Sequence, residues 1–431
     1  MLVLSGIAFG SAILISKSPE GNRRKYLLII SLILIFSSLF FFKYYNFFIE
    51  SLGIALAGIG FSTQTRILGI ILPLGVSFYT FQLSGYILDI YWEKREAERN
   101  PVTFFAFSSF FPLILSGPVE RSTNLLKQMN TVARINWDDI AAGLKMILWG
   151  LFKKLVIADN LSAYINQVYQ GPSGYNSVTL FFTAMLFMVQ LYADFSGYSD
   201  IAIGSAKLLG FDLIKNFNLP FFAKSFADFW RKWHISLTTW LFEYIFNPLN
   251  FTLRKSKKAG IVISLFTTFF ISGLWHGAAW TFIIWGLLHG TMLSVEVILN
   301  LKKRVWEKVT SKILKDFISI ASTAFIFITV SLISVFFKAN SAGDAFYIIG
   351  KIFSFSSGSV YIGSSSVTFF LNILVVLFLL LIEILQYRKI ASLNFSETRL
   401  PIWIRWPGYA SLIICIFLFG KTTAGFIYFQ F

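Results

Sequence analysis

The stretch IVISLFTTFFISGLWHGAAWTFIIWGLLHG, Ile261 to Gly290, runs for thirty residues without one Asp, Glu, Lys or Arg, and its ionisable side chains are His276 and His289. Further apolar runs cover Tyr26 to Phe42, Leu68 to Tyr91, Val178 to Tyr192, Trp280 to Leu299, Phe317 to Phe337 and Val367 to Leu385. Several match the roughly 20 residues that a helix needs to cross the hydrocarbon core of a bilayer. The 431 residues are 56% hydrophobic, 18% aromatic and only 13% charged, with a mean hydropathy of +0.69. Compact water-soluble domains cannot bury that much apolar surface, so the chain reads as an all-α, polytopic integral membrane protein.

The formal charge of +16 is carried in short clusters between apolar runs: Lys17 with Arg23 to Lys25, Arg254 with Lys255, Lys257 and Lys258, Lys302 to Arg304, and Arg388 with Lys389. Clusters so placed mark cytoplasmic loops and meet anionic lipid headgroups. They form no basic face on a soluble domain, which argues against nucleic acid as a partner. Cys415 is alone, so neither an intramolecular disulfide nor a thiolate metal cluster is expected. In Met1 to Ser16 the positive charges follow the apolar stretch, the reverse of a cleavable signal peptide, and the segment reads as a retained membrane helix that is short for a span.

The connectors WEKREAERNP, QMNTVARINWDD, VYQGPSGYNS and FSFSSGSVYIGSSS are all short, so residues 1–431 read as one membrane domain of roughly ten to twelve spanning or re-entrant helices. Pro73 with Gly75, Pro112 with Gly117 and Pro118, and the Pro220 to Pro248 interval mark interruptions. Within that interval, Ser225 to Tyr244 reads as one helix with Ser225 as N-cap and Asp228 three positions later. Arg231 and Lys232, three and four residues beyond Asp228, are placed to neutralise it. On such a helix Trp230, His234, Leu237 and Leu241 share a face.

The three histidines, His234, His276 and His289, are the candidates for proton transfer near neutral pH. Eighteen residues of helix from Lys258 would carry His276 about 27 Å, deep into the membrane or to its far face. An ionisable group there is a site hypothesis by default, and Gly273 and Gly277 allow close approach of a substrate or another backbone. His289, thirteen residues on, would lie about 20 Å away on a continuous helix and reads as a packing residue. Asp194 and Asp200 stand at the edge of an apolar run, with Ser196 and Gly197 expected to turn the chain between them. They are read either as partners of the Arg231 and Lys232 region or as the lining of a polar pathway. H-E-x-x-H, G-x-S-x-G and Walker patterns are absent from the sequence, and three scattered histidines make a weak case for zinc, so no metal is expected.

Taken in order, FKYYNFF, LPLGVSFYTFQLSGYILDIY, FFPLILSGPVER, GLFKKLVIADNL, VQLYADFSGYSDIAIGSAKLLGF, NFNLPFFAKSFADFWRKWHISLTTWL, GLWHGAAWTFIIWGLLHG and VFFKANSAGDAF resemble the membrane-bound O-acyltransferases. The branch most resembled is that of the alginate O-acetylation membrane protein. The likeness covers nearly the whole chain, with core motifs at 72–121 and 189–290. It implies a ring of tilted helices around a thinned centre where a tunnel meets a cavity, in a multi-pass protein of the bacterial cytoplasmic membrane. His276 in LWHG then corresponds to the family's catalytic histidine and His234 in RKWHIS to its second active-site position. No bound cofactor is implied. The donor implied is acetyl coenzyme A or another cytosolic acyl thioester, and the acceptor a hydroxyl of an exported polysaccharide, often reached through a separate extracytoplasmic acetyltransferase. Relatives of this kind carry more apolar sequence ahead of Leu27 to Phe48, so a shortened N-terminus is expected.

With that resemblance, His276 is expected to act as general base or as an acyl carrier, with His234 orienting the donor or stabilising an oxyanion. Asp194, Asp200, Asp228, Arg231 and Trp275 are the positioning candidates. Two other classes fit the composition: a secondary transporter with broken helices, and a catalytically idle scaffold for an extracytoplasmic acetyltransferase. The sequence does not choose among alginate, cellulose, peptidoglycan, teichoic acid and other acceptors.

Overall fold

The computed structural model describes residues 1–61, 67–131, 136–299, 311–389, 401–422 and 425–426. The basic cluster Lys302 to Arg304 and residues 132–135 of the QMNTVARINWDD connector lie outside the described residues. Among those described, every regular element is a helix. Seven are long and apolar enough to cross a membrane: Asn22–Gly58, Ser177–Leu208, Arg254–His276, Trp280–Leu299, Lys312–Lys338, Ser366–Tyr387 and Ile402–Phe419. The chain is therefore an all-α, multi-pass membrane protein. The Leu2–Lys17 and Val76–Tyr91 helices, of 16 residues each, are shorter. They reach about 24 Å against a hydrocarbon thickness of about 30 Å.

The chain, read from its sequence as one domain, gathers into two compact units. The first contains Met1–Ile135, Leu209–Ile214 and Gly277–Ala279. Its core is the Val76–Tyr91 helix, where Tyr86 packs on Phe104 with ring centroids 4.8 Å apart. The Arg24 guanidinium bonds Glu93 at 2.6 Å and the Tyr91 carbonyl at 2.9 Å, supplying donors where the helix leaves carbonyls without partners. The apolar run from Leu68 to Tyr91 does not form one helix, because the chain turns through Gly75 at φ 71 before Val76. A Cβ there would lie 1.9 Å from the Ile114 carbonyl oxygen, so only glycine fits.

The second unit contains Asn136–Leu208, Lys215–His276 and Trp280–Phe431, built on the Ser177–Leu208 helix. That helix has 78% of its apolar window buried, against 17% for Ser366–Tyr387 and none for Ile402–Phe419. It is thus the core of the unit, while the other two expose residues such as Leu374, Phe417 and Leu418 as a lipid-facing helix does. Glycines let the Trp137–Leu151 helix lie against it. A Cβ on Gly143 would meet the Gly204 carbonyl at 2.7 Å, and one on Gly150 the Gly197 carbonyl at 2.5 Å. Gly197 therefore serves close packing, and the turn expected between Asp194 and Asp200 is not made: the helix continues unbroken through both.

The helix expected over Ser225 to Tyr244 is in fact broken. Ser225 caps it as expected, its Oγ accepting from the Asp228 amide at 3.1 Å, but the Phe226–Trp230 helix stops after five residues. A second helix starts at Ile235, and its N-cap, His234, sits in the left-handed region at φ 43. Residues 216–218 supply the bonds that the helix gives up: Asn218 N–H donates to the Lys232 carbonyl and Ile235 N–H to the Asn216 carbonyl, both at 2.9 Å. His234 and Trp230 are therefore not placed by a common helical face.

Lys257–His276 and Trp280–Leu299 form a hairpin closed by glycine. A Cβ on Gly273 would lie 2.4 Å from the Phe282 carbonyl oxygen, and one on Gly286 2.2 Å from that of Phe269. The two approaches pair early residues of one helix with late residues of the other, so the helices are antiparallel. Gly286→Ala should force the backbones apart at a cost on the order of 1–3 kcal/mol. We expect a lower thermal midpoint for the detergent-solubilised variant. Gly350→Ala, where a Cβ meets nothing within 4 Å, should be neutral or better. Equal midpoints for the two variants would contradict this reading of the hairpin.

Candidate active site

The Lys257–His276 helix ends on His276, which is 5% exposed. His234 is 1% exposed, and the two imidazole centroids are 6.5 Å apart. Trp275 stands at 5.0 Å from the His276 ring and 6.1 Å from that of His234, so three of the residues expected in the site do meet. All of them belong to the second unit.

His234 is oriented by Asn216, whose Oδ1 lies 3.0 Å from His234 Nδ1. The same oxygen accepts from Ser236 Oγ at 2.8 Å and from the Ser236 amide at 3.3 Å, while Asn216 Nδ2 donates to Ser199 Oγ at 3.1 Å. An amide oxygen can only accept, so His234 Nδ1 carries the proton and Nε2 the lone pair. Phe195 stands edge to face at 4.6 Å from the imidazole. Burial pushes the His234 imidazolium down to about 3, so the ring is neutral at neutral pH. Asn216 was not singled out from the sequence. Its signal was the NFNLP segment, whose distance from RKWHIS hides the contact.

His276 lines a narrow cavity with Met188, Leu191, Phe229, Trp230, Trp233, Trp285, Val330, Ser334, Phe337 and His289. It has room for about one water molecule. The expectation that His289 lies about 20 Å from His276 is thus corrected. The sequence estimate assumed one continuous helix, whereas the chain turns back after His276, and the Trp285 ring lies 4.9 Å from both imidazoles.

The acids sit elsewhere. Asp194 bonds Lys154 at 2.5 Å, Lys154 also bonds Asp159 at 2.8 Å, and Asp200 bonds Lys153 at 2.7 Å. The expected pairing of Asp194 and Asp200 with Arg231 and Lys232 is not what the chain uses. Their lysines come from the π-helical segment Phe152–Ala158, which the sequence placed in a motif without assigning them a role. Asp228 keeps to its own helix end, with Lys232 at 2.9 Å and Arg231 at 3.5 Å, and the Arg231 side chain is 63% exposed. Burial raises the Asp228 carboxyl, but hydrogen bonds from Lys232 and the Lys224 amide, with the charges of Lys232 and Arg231, outweigh it and hold the group below its ordinary value.

Known proteins add to this geometry. Residues 98–337 match the model of the membrane-bound O-acyltransferase family. A probable alginate O-acetylase of Azotobacter vinelandii is 40% identical over 256 residues, covering 59% of this chain and 50% of that protein. A peptidoglycan O-acetyltransferase of Helicobacter pylori is 32% identical over 399 residues, covering 86% and 73%. A teichoic acid D-alanyltransferase of Bacillus subtilis is 30% identical over 236 residues, covering 51% and 58%. This chain spans about half the length of the Azotobacter relative. The family match takes in His234, His276, His289 and Asn216, the residues that build the cluster, and the chain belongs to the membrane-bound O-acyltransferase family.

Proposed function

We propose that this chain is an O-acyltransferase that moves an acyl group, acetyl in our reading, from a cytosolic thioester toward hydroxyls of an exported or cell-envelope polysaccharide. The observation that carries it is His276: a buried imidazole ending a membrane-crossing helix, 6.5 Å from a second imidazole and beside a cavity. Such a ring is costly in a span unless it works. The relatives' names lend support, since each describes acyl transfer to a polymer: alginate, peptidoglycan or teichoic acid. The setting is a bacterial cytoplasmic membrane, the donor acetyl coenzyme A, and a separate extracytoplasmic acetyltransferase completes delivery.

In this mechanism His276 accepts the proton of the attacking hydroxyl as its oxygen adds to the thioester carbonyl. The tetrahedral intermediate expels the thiolate, the imidazolium returns the proton to it, and ester and free thiol leave. His234 is poorly suited to an oxyanion, because its N–H is committed to Asn216. With a lone pair at Nε2 it accepts an O–H or N–H from bound substrate and so positions it.

His276→Ala, expressed at the wild-type level, should reduce polymer acetylation by about 10²–10⁴-fold, measured as acetate released from envelope polymers by mild alkali. Wild-type acetylation in that variant would remove the assignment. A pH test follows from His234. Its folded-state value of about 3 lies below the ordinary 6.5, so between those limits the unfolded chain binds the additional proton. The stability contributed by the neutral buried ring is complete above pH 6.5 and is lost as pH falls toward 3. His234→Asn, a residue that tolerates the left-handed backbone, should show a shallower loss of thermal midpoint across that window. Parallel pH profiles would overturn the assignment of a neutral buried ring.

A further inference from the structure

Stabilising the oxyanion of a thioester addition requires N–H or O–H donors that the fold has not already used. Two hydroxyl or N–H groups near His276 are spoken for. His234 Nδ1–H is held by Asn216, and Ser334 Oγ donates to the Val330 carbonyl at 2.8 Å. Two remain. Trp230 Nε1 and His289 Nδ1 are buried nitrogens with no hydrogen-bond partner among the described residues, and both side chains line the cavity that His276 lines. Trp230 is 4% exposed and His289 1%, and their rings stand edge to face with centroids 4.9 Å apart. Indole nitrogen is a donor only, and imidazole in its Nδ1–H form is a donor at that atom. A buried N–H without an acceptor costs about 1–3 kcal/mol, so two beside one cavity call for an acceptor that arrives with the substrate.

We propose that Trp230 Nε1–H and His289 Nδ1–H form the oxyanion site of this enzyme, receiving the carbonyl oxygen of the acyl thioester at the cavity beside His276. The inference rests on the acyl-transfer reading above. As the hydroxyl oxygen bonds to the carbonyl carbon, the C=O π pair moves onto oxygen, where the two N–H groups meet it, and the proton passes to His276. Collapse restores the carbonyl, breaks the C–S bond and sends the proton to the departing thiolate. His289, which the sequence suggests is packing, thereby touches the reacting atoms.

The test uses the full chain in lipid nanodiscs, with thiol release from acetyl coenzyme A and acetate in envelope polymers as readouts. Trp230→Phe and His289→Phe remove one donor each and should lower kcat by about 10²-fold. KM for acetyl coenzyme A should stay within about threefold. Trp230→His and His289→Asn, which keep an N–H, should retain more activity than the phenylalanine variants and serve where those fail to fold. The trifluoromethyl ketone analogue of acetyl coenzyme A, whose hydrate imitates the tetrahedral oxyanion, should bind more weakly to Trp230→Phe, while coenzyme A binds as before. Phenylalanine variants with wild-type kcat, or with raised KM alone, would overturn the oxyanion site and leave the acyltransferase reading standing. Wild-type polymer acetylation in His276→Ala would instead remove the reading on which the site depends.

Discussion

A polar ring buried in the protein must find its hydrogen bonds there, and the Asn216 to His234 contact is where this chain meets that constraint. One amide oxygen accepts from the imidazole, from Ser236 Oγ and from the Ser236 amide. The backbone on both sides is held by the same segment, through the Asn216 and Lys232 carbonyls. The helical break at residues 231–234, the left-handed backbone of His234 and the protonation of its Nδ1 follow from these few bonds. Remove them, and His234 has no reason to face His276.

The same constraint explains the charges around the Ser177–Leu208 helix. Asp194 is 1% exposed and Lys153 4%, burial that a lone charge could not bear. Paired as Lys154 with Asp194 and Asp159, and Lys153 with Asp200, they hold the π-helical segment to the central helix. Tyr192 donates to Glu383 on the same principle, tying the Ser366–Tyr387 helix to it. Phe195, next to Asp194, then presents its ring to His234. Ionic anchoring and imidazole placement thus fall on adjacent residues of a single helix.

Local features could be read from the sequence because their partners lie within four residues. The Ser225 cap and the Asp228 pairing with Arg231 and Lys232 are of this kind, as is the membrane class written in the apolar runs. Distant contacts could not. Asn216 is eighteen residues from His234 and Lys154 forty from Asp194, separations for which no helical period gives a signal. The misplacement of His289 came from extending one helix through residues 277–279, although the glycine and alanines there permit a turn. His276 was singled out twice over, from its apolar surroundings and from the LWHG motif.

The central claim is that His276 meets an acyl thioester in the cavity between the imidazoles and the tryptophans. A cryo-electron microscopy map of the protein in nanodiscs, bound to the acetyl coenzyme A analogue in which methylene replaces sulfur, tests it most directly. The account places the analogue's acyl carbonyl carbon within about 4 Å of the His276 ring, close to attack distance, with its oxygen turned toward Trp230 and His289. An analogue seated elsewhere, with the His276 ring still enclosed by aromatic side chains and out of its reach, would contradict the account.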